Sequence, residues 1–355
     1  MYSPKFTISN TILKNVGTIE AAKEVIDSAP LVPAWEKRFR DEAIIRTVHH
    51  GTHLEGNDLN YSEVEWVIEG GGKQSVVGKQ RDVREVINYR AVMDFIDSIG
   101  TGGGEGVVLT EEMLKEMHRL TTSELLPSNE SGSYRGVKVV IRNTVTGEIT
   151  FRPPPPIEVP YLMDAFFAWL NGERGRGVHP ILRAGVVHYE LARIHPFTDG
   201  NGRSARAMAL LLLYSEGYQI KKFFSLEEYY DKHPQDYYKA LKSVEESGEI
   251  TGWLEYFTFG IAVELTRVKE LVQKLSLDLK LRGNLGGKQI ALTERQIKLI
   301  EYMERYGQIS MAEGREILPM VSDDTILRDL RDLTKKGLIE KKGETKGAKY
   351  YLKRK

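Results

Sequence analysis

The run His195-Pro196-Phe197-Thr198-Asp199-Gly200-Asn201-Gly202-Arg203-Ser204-Ala205-Arg206 constrains this 355-residue chain more than any other segment. It lies between residues 180–194, an apolar stretch of helical composition, and residues 202–216, rich in alanine and leucine. A core helix explains Leu210 to Leu213, so the run reads as a loop joining two core helices in a mainly α fold. Gly200 and Gly202 permit positive φ and close backbone approach. With Asn201 they lead into a helix N-terminus, whose free N–H groups and dipole favour an anion. Arg203 and Arg206, three residues apart on the first turn, can grip further phosphate oxygens from one side. Asp199 offers the oxygen ligand that Mg2+ prefers beside polyphosphate. His195, ordinarily titrating near 6.5, can accept a proton from an incoming hydroxyl at neutral pH. A plain turn between core helices would explain the leucines, but not this set of His, Asp, Asn, glycines and arginines together.

Around this loop the chain reads as mostly helical. Residues 34–54 place Trp35, Phe39, Ile44, Ile45 and Val48 on an apolar stripe, and Gly56-Asn57 ends it. Ser62 with Glu65 has the form of a capping box, which starts a second helix running to the glycines at 70–72. Further helices are expected at 83–98, 161–171, 180–194 and 202–216. The glycine-rich residues 101–106 lack the Gly-Lys-Ser/Thr ending of a phosphate loop and read as a connector. Residues 137–151 alternate apolar and polar side chains about a Thr146-Gly147 turn, which predicts a β-hairpin. Pro153 to Pro156 keep it from joining a larger sheet, so it should stand as a flap on the helical body. His188, on an apolar helix, reads as packing. His49, His50 and His53 have helical spacing but no clear carboxylate partner, and they are not read as a metal site.

The loop resembles the motif of the Fic family, His-Pro-Phe-x-Asp/Glu-Gly-Asn-Gly-Arg-x-x-Arg, at every specified position. A weaker likeness extends over about residues 109–241, taking in Tyr134-Arg135, the proline run and a tyrosine-rich segment. The resemblance implies a helical Fic core with a flap and an ATP-dependent enzyme that moves AMP to a Ser, Thr or Tyr hydroxyl of a target protein. It implies His195 as base, Phe197 as loop anchor and Asp199 as Mg2+ ligand. Gly200, Asn201 and Gly202 would form the anion hole, with Arg203 and Arg206 on the phosphates. Tyr237, Tyr238 and Leu241 are adenine-pocket candidates, and a core role is equally open to them. The 137–151 hairpin would pair with an extended target segment.

Gly51-Thr52-His53-Leu54-Glu55-Gly56-Asn57 resembles the inhibitory motif Ser/Thr-x-x-x-Glu-Gly/Asn of one class of that family. The likeness implies that Glu55 pairs with Arg206 and competes with the ATP γ-phosphate. Gly51 departs from the pattern where Ser or Thr is expected, and Thr52 comes one residue late.

Residues 283–288 read as a glycine linker. Beyond them Thr293 begins a helix with Ile297, Ile300 and Met303 on one face, followed by Ile309-Ser310, helices at 311–318 and 322–336, and a pair of short strands. This order resembles a winged helix, with Ile326, Leu330 and Leu333 facing its core. The segment is mildly basic, yet Asp323, Asp324, Asp329 and Asp332 lie on the helix that would enter a DNA groove. A protein-binding or dimerising role is therefore expected over DNA binding. The domain reading is 1–108 N-terminal helical region, 109–282 catalytic core, 283–288 linker and 289–355 winged helix.

The chain has no cysteine, which excludes disulfides, thiolate zinc sites and cysteine nucleophiles. Its 50 basic and 50 acidic residues balance, so no global attraction to nucleic acid or membrane is expected. No stretch has the roughly 18 uninterrupted apolar residues of a membrane span, and a cytoplasmic protein is expected. The alternatives are a Fic enzyme that removes AMP or transfers another phosphate-containing group, and a DNA-binding regulator that only senses nucleotide. A homodimer is compatible with either.

Overall fold

A computed structural model describes residues 2–31, 33–71, 79–100, 107–142, 149–283, 292–319, 321–343 and 348–353. The chain forms two compact units, Met1–Glu270 and Leu271–Lys355. In chain order the first holds α1 (Asn10–Ser28), α2 (Pro33–His53), α3 (Tyr61–Trp66), α4 (Gln80–Gly100), α5 (Glu111–Thr122), β1 (Ile141–Arg142), β2 (Ile149–Phe151), α6 (Val159–Asn171), α7 (Glu173–Arg176), α8 (Pro180–Ile194), α9 (Asn201–Ser215), α10 (Leu226–Lys232) and α11 (Pro234–Ser247). Helix α12 (Thr251–Gly283) begins in it and runs past the division, which falls inside a helix and not at residue 282. The N-terminal residues and the core thus share one unit. Connector 101–106, the hairpin turn 146–147 and most of the glycine linker lie outside the described residues.

Helix α9 is the axis of this unit. It packs against α4, α5 and α8, and Ala205, Ala207, Met208 and Leu210 to Leu213 are all buried. Each buried leucine there contributes about 1.5–3 kcal/mol. Helix α8 starts with Pro180 in its first turn, where a missing N–H costs nothing. Its Gly185 lies so close to Leu254 and Phe257 of α12 that a Cβ would press on them, and its carbonyl accepts from Trp253 Nε1 at 2.7 Å.

Helices α1, α5, α7, α10, α11 and α12 lie where the sequence reading places none. Ser9 caps α1, which buries Ile12, Asn15, Ile19, Ala22 and Ile26, and Thr110 caps α5. The capping box of α3 is built by Asn60 and Glu63, not Ser62 and Glu65. The Asn60 side chain accepts from Glu63 N–H at 3.1 Å, and the Glu63 carboxylate accepts from Asn60 N–H at 2.8 Å. The flap strands are antiparallel, pairing Ile141 with Phe151 and Arg142 with Ile149 across an irregular step. Residues 137–140 belong to no strand, and the Val137 carbonyl accepts from Arg135 Nη1 at 3.1 Å.

The second unit contains α13 (Glu294–Tyr306), β3 (Ile309–Ser310), α14 (Met311–Ile317), α15 (Asp323–Lys335), β4 (Ile339–Lys342) and β5 (Lys349–Leu352). Its sheet has the order β3-β5-β4, all antiparallel. Ile300, Met303, Ile326, Leu330, Leu333 and Tyr350 belong to its core. Three of the four aspartates of α15 are paired: Asp329 with Arg295 at 2.7 Å, Asp323 with Arg315, and Asp332 with Lys336 at 2.5 Å and Gln296 at 2.7 Å. No helix among the described residues is long and apolar enough to cross a membrane.

Candidate active site

Helix α8 ends where His195 turns left-handed, at φ 52° and ψ 59°, a conformation that costs a non-glycine residue about 1–2 kcal/mol. The His195 N–H still closes the helix on Leu191 O at 3.0 Å, while Nδ1 faces Ala192 O at 3.3 Å. A proton on Nδ1 directed there leaves the Nε2 lone pair free to act as a base. Burial lowers the His195 pKa below its ordinary 6.5, opposed by the Ala192 contact and the Glu55 charge. The imidazole is therefore neutral at neutral pH.

The loop after it is closed from inside. Phe197 is fully buried; its N–H donates to Asn201 Oδ1 at 2.8 Å, and Asn201 Nδ2 donates back to Phe197 O at 2.9 Å. The Asn201 side chain thus locks the loop and leaves its backbone N–H for an anion. His118 of α5, which the sequence reading passes over, stacks on Phe197 with ring centroids 3.7 Å apart and planes 5° from parallel. Its Nδ1 accepts from Gly132 N–H at 2.8 Å, so Nε2 carries the proton and donates to Asp199 O at 2.9 Å. Burial pushes its pKa down to about 4. Only a helix-by-helix contact map could have found this residue, since nothing in its local sequence marks it.

Gly200 is left-handed, at φ 72°, and a Cβ there would press on the methyls of Thr121 and Thr122 at 3.2 Å. The Asp199 carboxylate accepts from Gly200 N–H at 2.6 Å and from Arg81 Nη2 at 3.3 Å, and its side chain remains 44 % exposed. Among the described residues no three His, Asp or Glu side chains could hold a metal by themselves. One exposed carboxylate beside a phosphate cradle nevertheless suits Mg2+, which keeps several waters and takes its other ligands from phosphates.

Arg203 and Arg206 are buried. Arg203 Nε and Nη1 and Arg206 Nε have no hydrogen-bond acceptor among the described residues, although Glu85 and Asp199 lie at ion-pair distance from Arg203, 3.9 Å from Nη1 and 3.8 Å from Nη2. Buried guanidinium donors without acceptors are costly, and they mark a place where an anion belongs. Arg206 Nη1 pairs with Glu55 Oε1 at 2.9 Å, and its Nη2 donates to Gly51 O at 3.0 Å. The Glu55 carboxylate lies directly over Gly202, where any Cβ would collide with it. A carboxylate thus sits at the N-terminus of α9.

Gly51 is what this arrangement requires. A Cβ there would collide with the Tyr89 ring, whose hydroxyl donates to the buried Glu227 at 3.0 Å. Thr52 does not substitute for the missing hydroxyl: it is buried, and its Oγ1 donates to Val48 O at 2.9 Å inside α2. The end of α2 is held instead by Arg46 on Glu228 at 2.6 Å, and by His50 and His53 on Asp231 at 2.7 and 2.8 Å.

The adenine candidates divide. Tyr237 is buried in an aromatic cluster with His188, Tyr230 and Trp253, and its hydroxyl meets His188 Nε2 at 2.9 Å. Both residues therefore pack the core. Tyr238 is 50 % exposed, and Leu241 is half-buried.

Residues 108–213 match the Fic/DOC family, and the chain carries that domain. Curated relatives named protein adenylyltransferase Fic include one from Culex quinquefasciatus, 29 % identical over 68 % of this chain and 45 % of the relative. Another, from Aedes aegypti, is 30 % identical over 62 % and 40 % respectively. The chain therefore spans less than half the length of these relatives. A solved Fic family protein from Desulfovibrio desulfuricans G20 superposes with a TM-score of 0.66 at 25 % identity, covering 100 % of this chain and 99 % of that one.

Proposed function

With a Fic/DOC domain as premise, we propose that this protein is an adenylyltransferase that moves AMP from ATP to a Ser, Thr or Tyr hydroxyl of a target protein, and that Glu55 holds it in check. The observation that carries the reading is the pair of buried arginines at the start of α9, with donors lacking acceptors and one carboxylate standing where a phosphate would. The names of the curated relatives support it.

In this reaction the target hydroxyl gives its proton to His195 Nε2 while its oxygen attacks the α-phosphorus of ATP. The bond from that phosphorus to the bridging oxygen breaks, and pyrophosphate leaves. Backbone N–H groups of Asn201 and Gly202 and the guanidinium groups of Arg203 and Arg206 hold the phosphate oxygens, while the Gly200 N–H stays on Asp199. Asp199 would hold Mg2+, which when bound neutralises phosphate charge. Glu55 competes for Arg206 with the γ-phosphate, so inhibition is one anion displacing another from a single guanidinium. The flap offers its edge to the target segment. Intact-mass measurement after incubation with ATP and Mg2+ tests the reading. Addition of AMP to protein by the Glu55→Gly chain and its loss in His195→Ala are expected; no addition by any form would overturn it.

A second reading concerns residues 289–355, which we infer to be a winged helix. Its element order and three-stranded sheet support this. The pairing of Asp323, Asp329 and Asp332 weakens the electrostatic objection to DNA, and Arg328, Arg331 and Lys335 on α15 are exposed. Anisotropy of a labelled random duplex at rising salt tests that face; binding that Arg328→Ala with Arg331→Ala leaves unchanged would remove it.

A further inference from the structure

Arg135 is buried, at 3 % exposure, and among the described residues no carboxylate pairs with it. Burying an uncompensated guanidinium is expensive unless its donors are filled. Here they are filled by backbone carbonyls alone. Nε donates to His195 O at 2.7 Å, Nη1 to Val137 O at 3.1 Å, and Nη2 to Pro154 O at 2.6 Å and Ile194 O at 3.3 Å. The Arg135 N–H adds a bond to Pro196 O at 2.9 Å. Burial lowers its pKa, and no charged partner among the described residues opposes that.

These acceptors come from two places. Val137 precedes β1 and Pro154 follows β2, so they are the two legs of the flap. Ile194 and His195 are the last residue of α8 and its left-handed cap, so their carbonyls lie at a helix C-terminus that favours a cation. One planar group therefore touches both legs of the flap and the backbone of the base. Five donors in a fixed fork suit four divergent carbonyls, whereas an ammonium is a point charge with three.

We propose that Arg135 is a positioning residue that locks the flap and His195 into one unit, so that a target segment docked on the flap is set in register with the imidazole. This rests on the AMP-transfer reading. It adds a residue outside the phosphate loop and a route by which target docking meets the base. The Arg135 guanidinium is engaged by four backbone carbonyls and lies outside the His195–Arg206 run, so its loss should lower turnover and leave ATP recognition alone. A base displaced by about 1 Å costs on the order of 100-fold in rate.

The test compares the full chain with Arg135→Lys and Arg135→Met, each also carrying Glu55→Gly so that turnover is measurable. Hydrogen exchange followed by mass spectrometry should show faster exchange in residues 136–142 and 195–199 together, with α4 and α6 unchanged. Transfer of AMP from α-labelled ATP to protein should fall about 100-fold in kcat for Arg135→Met, with the KM for ATP within about twofold of the parent. Arg135→Lys keeps the charge but not the fork, so it should fold normally and still loosen both segments, with intermediate turnover. It keeps the proposal testable if the methionine variant does not fold. Faster exchange in only one of the two segments, or unchanged kcat in both variants, would overturn the proposal. Exchange needs no turnover: if no form of the chain transfers AMP, the enzymatic reading fails while the exchange result still decides whether the brace exists.

Discussion

At Gly202 the side chain is a single hydrogen, and the Glu55 carboxylate uses the space that leaves. Glu55 is 29 % exposed and Arg206 2 %, so the pair is partly desolvated and its loss strands a buried guanidinium. Replacing Glu55 by glycine should therefore raise the initial rate of AMP transfer at a fixed, sub-saturating ATP concentration by roughly tenfold or more, the factor that 1.4 kcal/mol of lost competition represents. It should also lower the melting temperature by a few degrees, for about 1–2 kcal/mol of unpaired charge, and ATP should restore part of that by mass action. Equal rates for wild type and Glu55→Gly would sink the restraint. Gly202→Ala makes a different demand: its methyl group crowds the same anion position, so it should remain inactive even when Glu55 is glycine. A Gly202→Ala, Glu55→Gly chain with the turnover of Glu55→Gly alone would refute the placement of phosphate over that residue. Gly51→Ser restores the residue type of the inhibitory pattern, yet it should destabilise by about 1–3 kcal/mol because its Cβ meets the Tyr89 ring. Chemical denaturation of Gly51→Ser with and without Tyr89→Ala checks this, since the second change should relieve the first.

Helix α8 carries two histidines with opposite tasks. His195 ends the helix with a pKa lowered by burial, so the acid limb of kcat should have its midpoint below 6.5; a midpoint above 7 would remove His195 as the neutral base. His188 lies inside, and burial holds its pKa well below 6.5 with the Arg206 charge adding to the effect. Between that depressed value and 6.5 the unfolded chain binds the proton and the folded chain does not. Stability is thus full above about pH 6.5 and falls as pH drops below it, and His188→Phe should flatten the slope of unfolding free energy between pH 5 and 7 relative to wild type. At this scale much was legible in the sequence. Residues 180–194 form α8 as read, because Pro180, the apolar run and the break at His195-Pro196 all act locally. The start of α3 was misread because two cap-and-glutamate pairs overlap there, and Asn60 with Glu63 makes both reciprocal bonds. The alternation at 137–141 predicts a longer first flap strand than the pairing from Ile141 forms, because alternation marks which face a residue takes and not whether a partner strand lies beside it.

Over the whole molecule, the readable part of the site is the part that is contiguous. The run His195–Arg206 is contiguous and legible as a motif, whereas His118 of α5 and Tyr89 and Arg81 of α4 carry no local mark, and Arg135 shows only within the Tyr134-Arg135 likeness, without its partners. The same holds for the proposed restraint. Glu55 is visible as a motif, but what fixes it is the seam between α2 and α10: Arg46 on Glu228, and His50 and His53 on the half-buried Asp231. The two imidazole contacts hold Asp231 below the ordinary carboxylate range despite its burial, so this carboxylate is charged in the folded chain. Because the N-terminal residues and the core form one compact unit, release of Glu55 should come from movement of the end of α2 and not from separation of a domain. Asp231→Asn keeps the shape of the acceptor and removes its charge, which loosens that end without touching Arg206 or the loop. It should raise AMP transfer above wild type by less than Glu55→Gly does, because Gly51 still offers its carbonyl to Arg206 and Arg46 still holds Glu228. In the Glu55→Gly background it should add nothing, since there is no restraint left to loosen; such non-additivity is what residues acting through one contact show. Wild-type rates in Asp231→Asn would mean that α2 is held by its packing alone, and a further rise in the double variant would mean that Asp231 acts on turnover by a route other than Glu55.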